Sequence, residues 1–270
     1  MSSLYLKILE QHNIIPNFWM SEEYFEKAGL EERNENGLIG IYDVGVPICP
    51  LLRVETGYAT PSTATDFVWS DFEDFTGYEG WKKEPLDLEY VYDPREFIRM
   101  EGGQWQVFRK NSRKFPRRYN KEVYYLDYRK ASVWINPKLL GDMILDLLTD
   151  WLSRREGNIE DFEVIEKYVF NGKNRELLID EGKKLLGMNV YDENYLRINF
   201  RYSFHDPQYD FLSEYLRLCF YKNLMIRFCN TSSFKFVNDG GVLGREELRK
   251  FKDKMNPIKV RTVYSWRRIK

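Results

Sequence analysis

Between Gly102 and Tyr128 the chain reads GGQWQVFRKNSRKFPRRYNKEVYYLDY, and this stretch restricts the fold more than any other. At about 100° per residue, Trp105, Phe108, Ser112 and Phe115 fall on one helix face. Three large rings on one stripe call for a broad apolar partner. The opposite side carries Arg109, Lys110, Arg113, Lys114, Arg117 and Arg118, six cations in ten residues with no acid among them. Pro116 disfavours helical geometry at Phe115, so the helix is predicted to end there and pass into a strand over Glu122–Tyr128.

A charge run is usually a solvated face. Such a face normally mixes signs, whereas this one stacks like charges four apart, which is mildly destabilising. The pattern therefore favours a surface that meets an anion, here the phosphate of a nucleotide, a transfer RNA or a lipid head group. The whole chain has 41 basic and 42 acidic side chains, so the concentration is local.

A length of 270 residues suits one large domain or two medium ones, and 43% hydrophobic residues can fill a sizeable core. Cys49, Cys219 and Cys229 form no metal-binding spacing and read as free thiols of a reducing cytosol. His12 and His205 are the only histidines, which excludes a histidine-rich zinc site. The longest apolar stretch, Leu139–Leu152, is broken by Gly141, Asp142, Asp146 and Asp150, so no membrane span is expected. With no secretion signal at the start, a cytoplasmic protein is expected.

Along the chain, helices are predicted over Leu4–His12 and Phe18–Gly29, then a hairpin of Gly37–Asp43 and Pro47–Val54. Ser62 or Thr63 can cap a helix carrying Phe67, Val68, Phe72 and Phe75, and Leu86–Tyr92 reads as a strand. Asn136 and Pro137 open a strongly periodic helix, with a second helix over Ile159–Phe170. Strands follow at Arg175–Asp180, Lys184–Tyr191 and Tyr195–Phe204, then a helix from Asp206 to Phe220. Leu224–Cys229 reads as a strand, Gly244–Met255 as a helix and Lys259–Trp266 as the last strand. The two halves read alike, which predicts an internal duplication with domains 1–130 and 131–270. Chance recurrence of common elements is the alternative.

The element order of the second half resembles a GNAT acyltransferase: strand, two helices, three antiparallel strands, helix, strand, helix, strand. Two stretches resemble the lysylphosphatidylglycerol synthase C-terminal domain-like family, a FemXAB-like tandem arrangement. One is Tyr90-Val91-Tyr92-Asp93 with Gly102-Gly103, Arg109, Arg113 and Phe115; the other is Asn238 through Gly244, then Leu248-Arg249, Lys252 and Pro257. The resemblance implies an α/β (α+β) fold of tandem GNAT-like domains, with mixed, largely antiparallel sheets flanked by helices. It also implies a transferase that moves an acyl or aminoacyl group from a phosphate-bearing donor. The acceptor would be an amine or hydroxyl on a small molecule, a peptide or a lipid head group. Asn238, Arg249 and Lys252 join the binding set only through this resemblance. Coenzyme A is usually held by a glycine-rich loop before the central helix. The matching segment here, Ser203–Gln208, has no glycine, so aminoacyl-transfer RNA is favoured over acyl-CoA and no cofactor is expected, with acyl-CoA left open.

Among residues able to do chemistry, His205 and Asp206 at the end of a strand form the best acid–base pair. The plainer reading makes Asp206 a helix cap beside a surface histidine. Arg197, Asn199 and Arg201 alternate along one face of their strand, which either meets solvent or lines a substrate cleft, while Leu196, Ile198, Phe200 and Tyr202 fill the apolar face. Arg109, Lys110, Arg113, Lys114 and Arg117 would hold the donor's phosphates, with Arg109, Arg113 and Arg117 as one ridge. The alternative function is a non-catalytic GNAT-like module that binds nucleic acid or a protein.

Overall fold

The computed structural model describes residues 3–12, 16, 18–57, 59–60, 67–70, 80–154, 162–195, 197–228, 235–242 and 245–269, with backbone alone at 59–60, 67–70 and 268. The chain opens with helices α1 (Leu4–Gln11) and α2 (Glu22–Ala28). A small sheet follows, of β1 (Glu31–Glu35), β2 (Leu38–Asp43), β3 (Val46–Pro47), β4 (Leu51–Arg53) and β5 (Ala59–Thr60). Next come β6 (Phe67–Ser70), β7 (Trp81–Tyr92), α3 (Glu96–Arg99), α4 (Gln106–Tyr119), β8 (Val123–Asp127) and α5 (Tyr128–Trp134). The remainder is α6 (Pro137–Ser153), α7 (Phe162–Asn171), β9 (Asn174–Asp180), β10 (Leu185–Glu193), β11 (Arg197–His205), α8 (Leu212–Phe228), β12 (Phe236–Asn238), α9 (Glu246–Asp253) and β13 (Lys259–Arg268).

Eight strands form the main sheet in the order β6-β13-β7-β12-β11-β10-β9-β8. Every neighbouring pair is antiparallel except β11 and β12, which run parallel. The fold is thus a mixed α/β arrangement with largely antiparallel sheets. From β8 onward the order of elements is the one read from the sequence, except for the additional short helix α5, which is not expected. The sheet does not divide at residue 130, however. Strand β7 lies between β12 and β13, and β8 closes the edge beside β9. Residues from both proposed halves therefore share one sheet and one set of backbone hydrogen bonds.

Helices cover both faces. On one side α1, α2, α6 and α7 bury Tyr5, Leu9, Tyr24, Leu140, Ile144 and Tyr168 against Leu177, Met188, Val190 and Phe204 of the sheet. On the other, α3, α4 and α8 pack an aromatic cluster in which Phe97 stacks on Tyr221 at 3.5 Å and meets Trp105 and Phe108 edge-on. Trp105, Phe108 and Phe115 are fully enclosed, as the one-sided pattern of α4 requires. Burying such rings stabilises the fold by roughly 1.5–3 kcal/mol each.

Local signals explain most element ends. Ser21 accepts a hydrogen bond from the Tyr24 N–H at the start of α2, and Gly29 ends it in the left-handed region at φ 72°. Asn136 caps α6 with Pro137 in its first turn.

Four expectations are corrected. Helix α4 runs through Pro116 to Tyr119 and ends at Asn120, because Phe115 and Tyr119 are both held against Tyr209 and the proline costs only one bond near the helix end. Phe67–Ser70 is a strand paired with β13, not part of a helix; Ser62, Thr63, Phe72 and Phe75 lie outside the described residues. The helix expected from Asp206 starts at Leu212. Residues 224–228 continue it, because Leu224 follows Phe220 and Tyr221 on its buried face. The strand expected there is instead β12, Phe236–Asn238.

Candidate functional site

Strand β11 lies in the body of the main sheet, and two features make it irregular. It pairs with β12 for three residues, the last being Asn199 opposite Asn238, and runs on to His205 with no further strand on that side among the described residues. It also bulges. Tyr191 of β10 pairs with Phe200 while Val190 pairs with Tyr202, leaving Arg201 as an extra residue. The bulge turns Tyr202 to the same side as Arg201, where it meets Tyr168, so the strict alternation expected across Tyr202 does not hold. Leu196, expected on the apolar face, lies outside the described residues.

Arg201 and Asn199 both reach Asp192. Asp192 Oδ2 accepts from Arg201 Nε at 2.7 Å, Tyr168 Oη at 2.6 Å and Ser21 Oγ at 2.8 Å, while its Oδ1 accepts from Asn199 Nδ2 at 2.9 Å. Asp192 and Asn199 have no exposed surface at all. Burial pulls the Arg201 pKa down, but Asp192 and Tyr168 together with their neighbours outweigh it and the guanidinium is held charged. The rings of Phe18, Tyr24 and Tyr168 surround that guanidinium at 4.4–5.7 Å. A second buried carboxylate, Glu89 on β7, accepts from the Phe18 N–H, Asn238 Nδ2 and Arg261 Nε.

Asn238 and Lys252 meet around the turn after β12. Asn238 Oδ1 accepts from the Gly240 N–H, and Gly240 takes the left-handed φ of 61° that the turn needs. Lys252 Nζ donates to the carbonyls of Asp239, Gly240 and Gly241. Burial pushes the Lys252 pKa down. Asp239 also pairs with Arg217 at 3.2 Å, and that guanidinium lies 3.6 Å over the Phe200 ring. Arg249 is apart from this group, on the exposed face of α9, 3.9 Å from Asp253.

The exposed cations gather elsewhere. Asn111 on α4 donates to Glu214 in the first turn of α8, which brings the later part of α4 beside the turn between β11 and α8. Lys114 Nζ stands 4.2 Å over the Phe211 ring, Arg118 pairs with Asp210 at 2.6 Å, and Arg117 joins them in a shallow cavity of about 440 Å³. Phe211 holds φ 65°, a strained conformation for a bulky side chain, which costs of order 1–3 kcal/mol and concentrates at ligand sites. The cationic group is therefore Lys114, Arg117 and Arg118 rather than a ridge of Arg109, Arg113 and Arg117. Arg109 is spent on the Met100 carbonyl, and Lys110 and Arg113 project to solvent with no ion pair among the described residues.

His205 and Asp206 separate in role. Asp206 accepts from the Gln208 N–H and pairs with Lys184 at 2.8 Å beside a cavity of about 310 Å³ lined by Asp146 and Asp150, so it is committed to the turn. Burial and the nearby Arg154 hold the His205 imidazole below its usual 6.5, hence neutral at pH 7 and able to accept a proton. Sequence reasoning missed Asp192, Glu89, Asp239, Arg217 and Phe211. The first four are separated in sequence from their partners, and Phe211 reads as an ordinary inward helix residue. The strain at Phe211 leaves no mark in the sequence.

No protein-family model matches the sequence, and no curated protein matches it. Solved structures do. A conserved protein of unknown function from Bacteroides thetaiotaomicron superposes with a TM-score of 0.53 at 16% identity, over 70% of this chain and 62% of that one. L-PGS from Bacillus licheniformis superposes with a TM-score of 0.51 at 14% identity, over the same shares. The likeness is one of fold. The C-terminal domain of a putative lysylphosphatidylglycerol synthetase from Agrobacterium fabrum also matches, with a TM-score of 0.49 at 15% identity. The chain aligns to 62% of the length of each of these neighbours. Among the described residues no helix is long and apolar enough to cross a membrane.

Proposed function

We propose that this chain is an aminoacyl transferase of GNAT type that takes its donor at the turn between β11 and α8. The observation that carries the reading is the group of Lys114, Arg117 and Arg118 around the strained Phe211 ring. A coenzyme A enzyme would offer glycine backbone N–H groups at this turn. Here side-chain cations stand beside it, with an aromatic face for a base to stack on. That combination suits the phosphate-rich 3′ end of a transfer RNA. The element order from β8 to β13 and the fold likeness to L-PGS support the same reading.

In the reaction the acceptor's amine or hydroxyl attacks the ester carbonyl of the donor. A new amide or ester bond forms, and the carbon–oxygen bond to the donor's ribose breaks. The acceptor's proton passes to His205, which returns it to the departing ribose oxygen. Asn199, Arg201, Asn238 and Lys252 act by fixing the strands on either side, since each already donates a hydrogen bond inside the protein.

The test is a salt titration of transfer RNA binding by the parent and by a Lys114→Gln, Arg117→Gln, Arg118→Gln variant. The variant should lose affinity and flatten the slope of log K against log salt by about 2–3. Unchanged affinity and slope would remove the reading. A second reading is favoured by the enclosure of the buried groups: a non-catalytic module that binds RNA with the same cations. A His205→Gln variant separates the two, since it should abolish transfer while keeping RNA binding.

A further inference from the structure

A second group of cations lies at the other end of β8 and α8. A cavity of about 430 Å³ opens where β8 ends and α5 begins, beside the start of β9 and the last turns of α8. Arg129, Lys130, Lys173, Arg175 and Arg227 line it. The two acids there, Asp127 and Glu176, do not balance them. Asp127 pairs with Lys130 at 3.7 Å. Glu176 is only 2% exposed and accepts from Tyr191 and Asn223. Arg227 pairs with Glu193 at 3.1 Å, whereas Arg175 donates to the neutral carbonyls of Val169 and Phe170. Arg129 and Lys173 are exposed and make no side-chain hydrogen bond or ion pair among the described residues. Arg129, Lys173 and Arg175 thus keep a positive charge that no carboxylate pairs with among those residues.

This cavity and the cationic turn share one edge of the molecule. Lys121, just before β8, stands 5.5 Å over the ring of Tyr209, which belongs to the turn. Asp127, the last residue of the same strand, lines the cavity. Helix α8 runs beside it and sets Arg227 about 24 Å along its axis from Phe211. Exposed Lys222 comes about three turns after Phe211, on the same helix stripe. A small anion could fill either cationic group, but only a chain of phosphates reaches both.

The two groups differ in one respect. The turn offers the Phe211 ring beside its cations. At the cavity, Tyr191 is 2% exposed and Tyr128 already carries the Arg175 guanidinium 3.7 Å over its ring. A free ring suits an unstacked base, while cations without one suit the backbone of a duplex, whose bases are turned inward. We infer that the cavity grips the double-helical stem next to the 3′ end of the transfer RNA, through phosphates on Arg129 and Lys173. The inference rests on the donor reading above and adds the second point at which that donor is held.

Three RNAs test it by fluorescence anisotropy: intact transfer RNA, a hairpin of its terminal stem with the 3′ end, and that single-stranded end alone. Arg129→Gln with Lys173→Gln should weaken transfer RNA and hairpin roughly tenfold and lower their salt slope by about 1–2. The single strand should bind this variant within about twofold of the parent, which also shows that the fold is kept. Arg129→Lys with Lys173→Arg keeps both charges and should bind all three as the parent does. The Lys114→Gln, Arg117→Gln, Arg118→Gln variant should weaken all three. If that variant does so while the cavity variant binds hairpin and transfer RNA unchanged, the stem site is overturned and the donor reading stands. Equal weakening of the single strand by the cavity variant also overturns it, since the effect would then be one of overall charge. A parent that binds none of the RNAs removes both readings.

Discussion

Asp192 and Lys114 mark two ways in which this chain holds charge. Asp192 sits in the interior with four side chains donating to it and no exposed surface. Lys114 stands at the surface over one aromatic ring, in a cavity shared with two more cations. The buried group is fully used by the fold and fixes where β10, β11, α2 and α7 meet. The surface group is held in place but left with unspent charge. That difference separates residues that build the protein from residues that can take a ligand.

The buried side should respond most strongly. Asp192→Ala removes the acceptor for Arg201, Asn199, Tyr168 and Ser21 and leaves a guanidinium alone in the interior. Breaking a buried pair in this way costs roughly 3–5 kcal/mol. Urea unfolding monitored by tryptophan fluorescence measures it. A loss below 1 kcal/mol would mean that water reaches the cluster and that the contrast with the surface is false.

Next in size is Lys252→Met, which keeps the volume but leaves the carbonyls of Asp239, Gly240 and Gly241 without their donor. The expected loss is about 1–3 kcal/mol. Hydrogen exchange should quicken at the amides of Gly240 and Val242 while those of β10 keep their protection. Faster exchange throughout the sheet would instead assign Lys252 to the core as a whole.

These two sites also show what could be read from the sequence. The α4 aromatic stripe, the Asn136-Pro137 start of α6 and the strands β9 to β11 announce themselves by local period and capping. Lys252 and Asn238 were selected by resemblance, and they prove to hold a turn. Asp192 and Glu89 could not be found this way, because the partners that enclose them come from distant elements: Ser21 lies 171 residues from Asp192, and Asn238 lies 149 from Glu89. Residues 224–228 were misread for a related reason. A short apolar run fits a strand or a helix equally, and only the buried place beside Phe220 and Tyr221 decides.

His205 lies between the two regions and gives a smaller, pH-dependent effect. Burial and Arg154 depress its folded pKa below 6.5, so its contribution to stability is complete above 6.5 and is lost as pH falls through the folded value. The ring resonances of His205 should titrate below those of an unfolded reference, and stability should decline on acidification through that window. A ring that instead stayed protonated at pH 7 would remove the proton acceptor from the proposed reaction.

The smallest effect is expected where binding should change most. Lys114→Gln, Arg117→Gln and Arg118→Gln together break one ion pair, between Arg118 and Asp210, whose side chains are 56% and 59% exposed. Such pairs contribute about 0–1 kcal/mol, and an exposed cation over a ring about 0.5–1. Arg117 adds no hydrogen bond or ion pair among the described residues. The triple variant should therefore unfold within about 1–2 kcal/mol of the parent while its transfer RNA binding weakens. A companion variant, Lys110→Gln with Arg113→Gln, changes the same helix away from Phe211 and should leave more of the binding intact. If the triple variant instead lost as much stability as Asp192→Ala, its cations would be part of the framework. If the companion lost as much binding as the triple variant, the whole helix face would act as one diffuse basic surface, without a site at the turn.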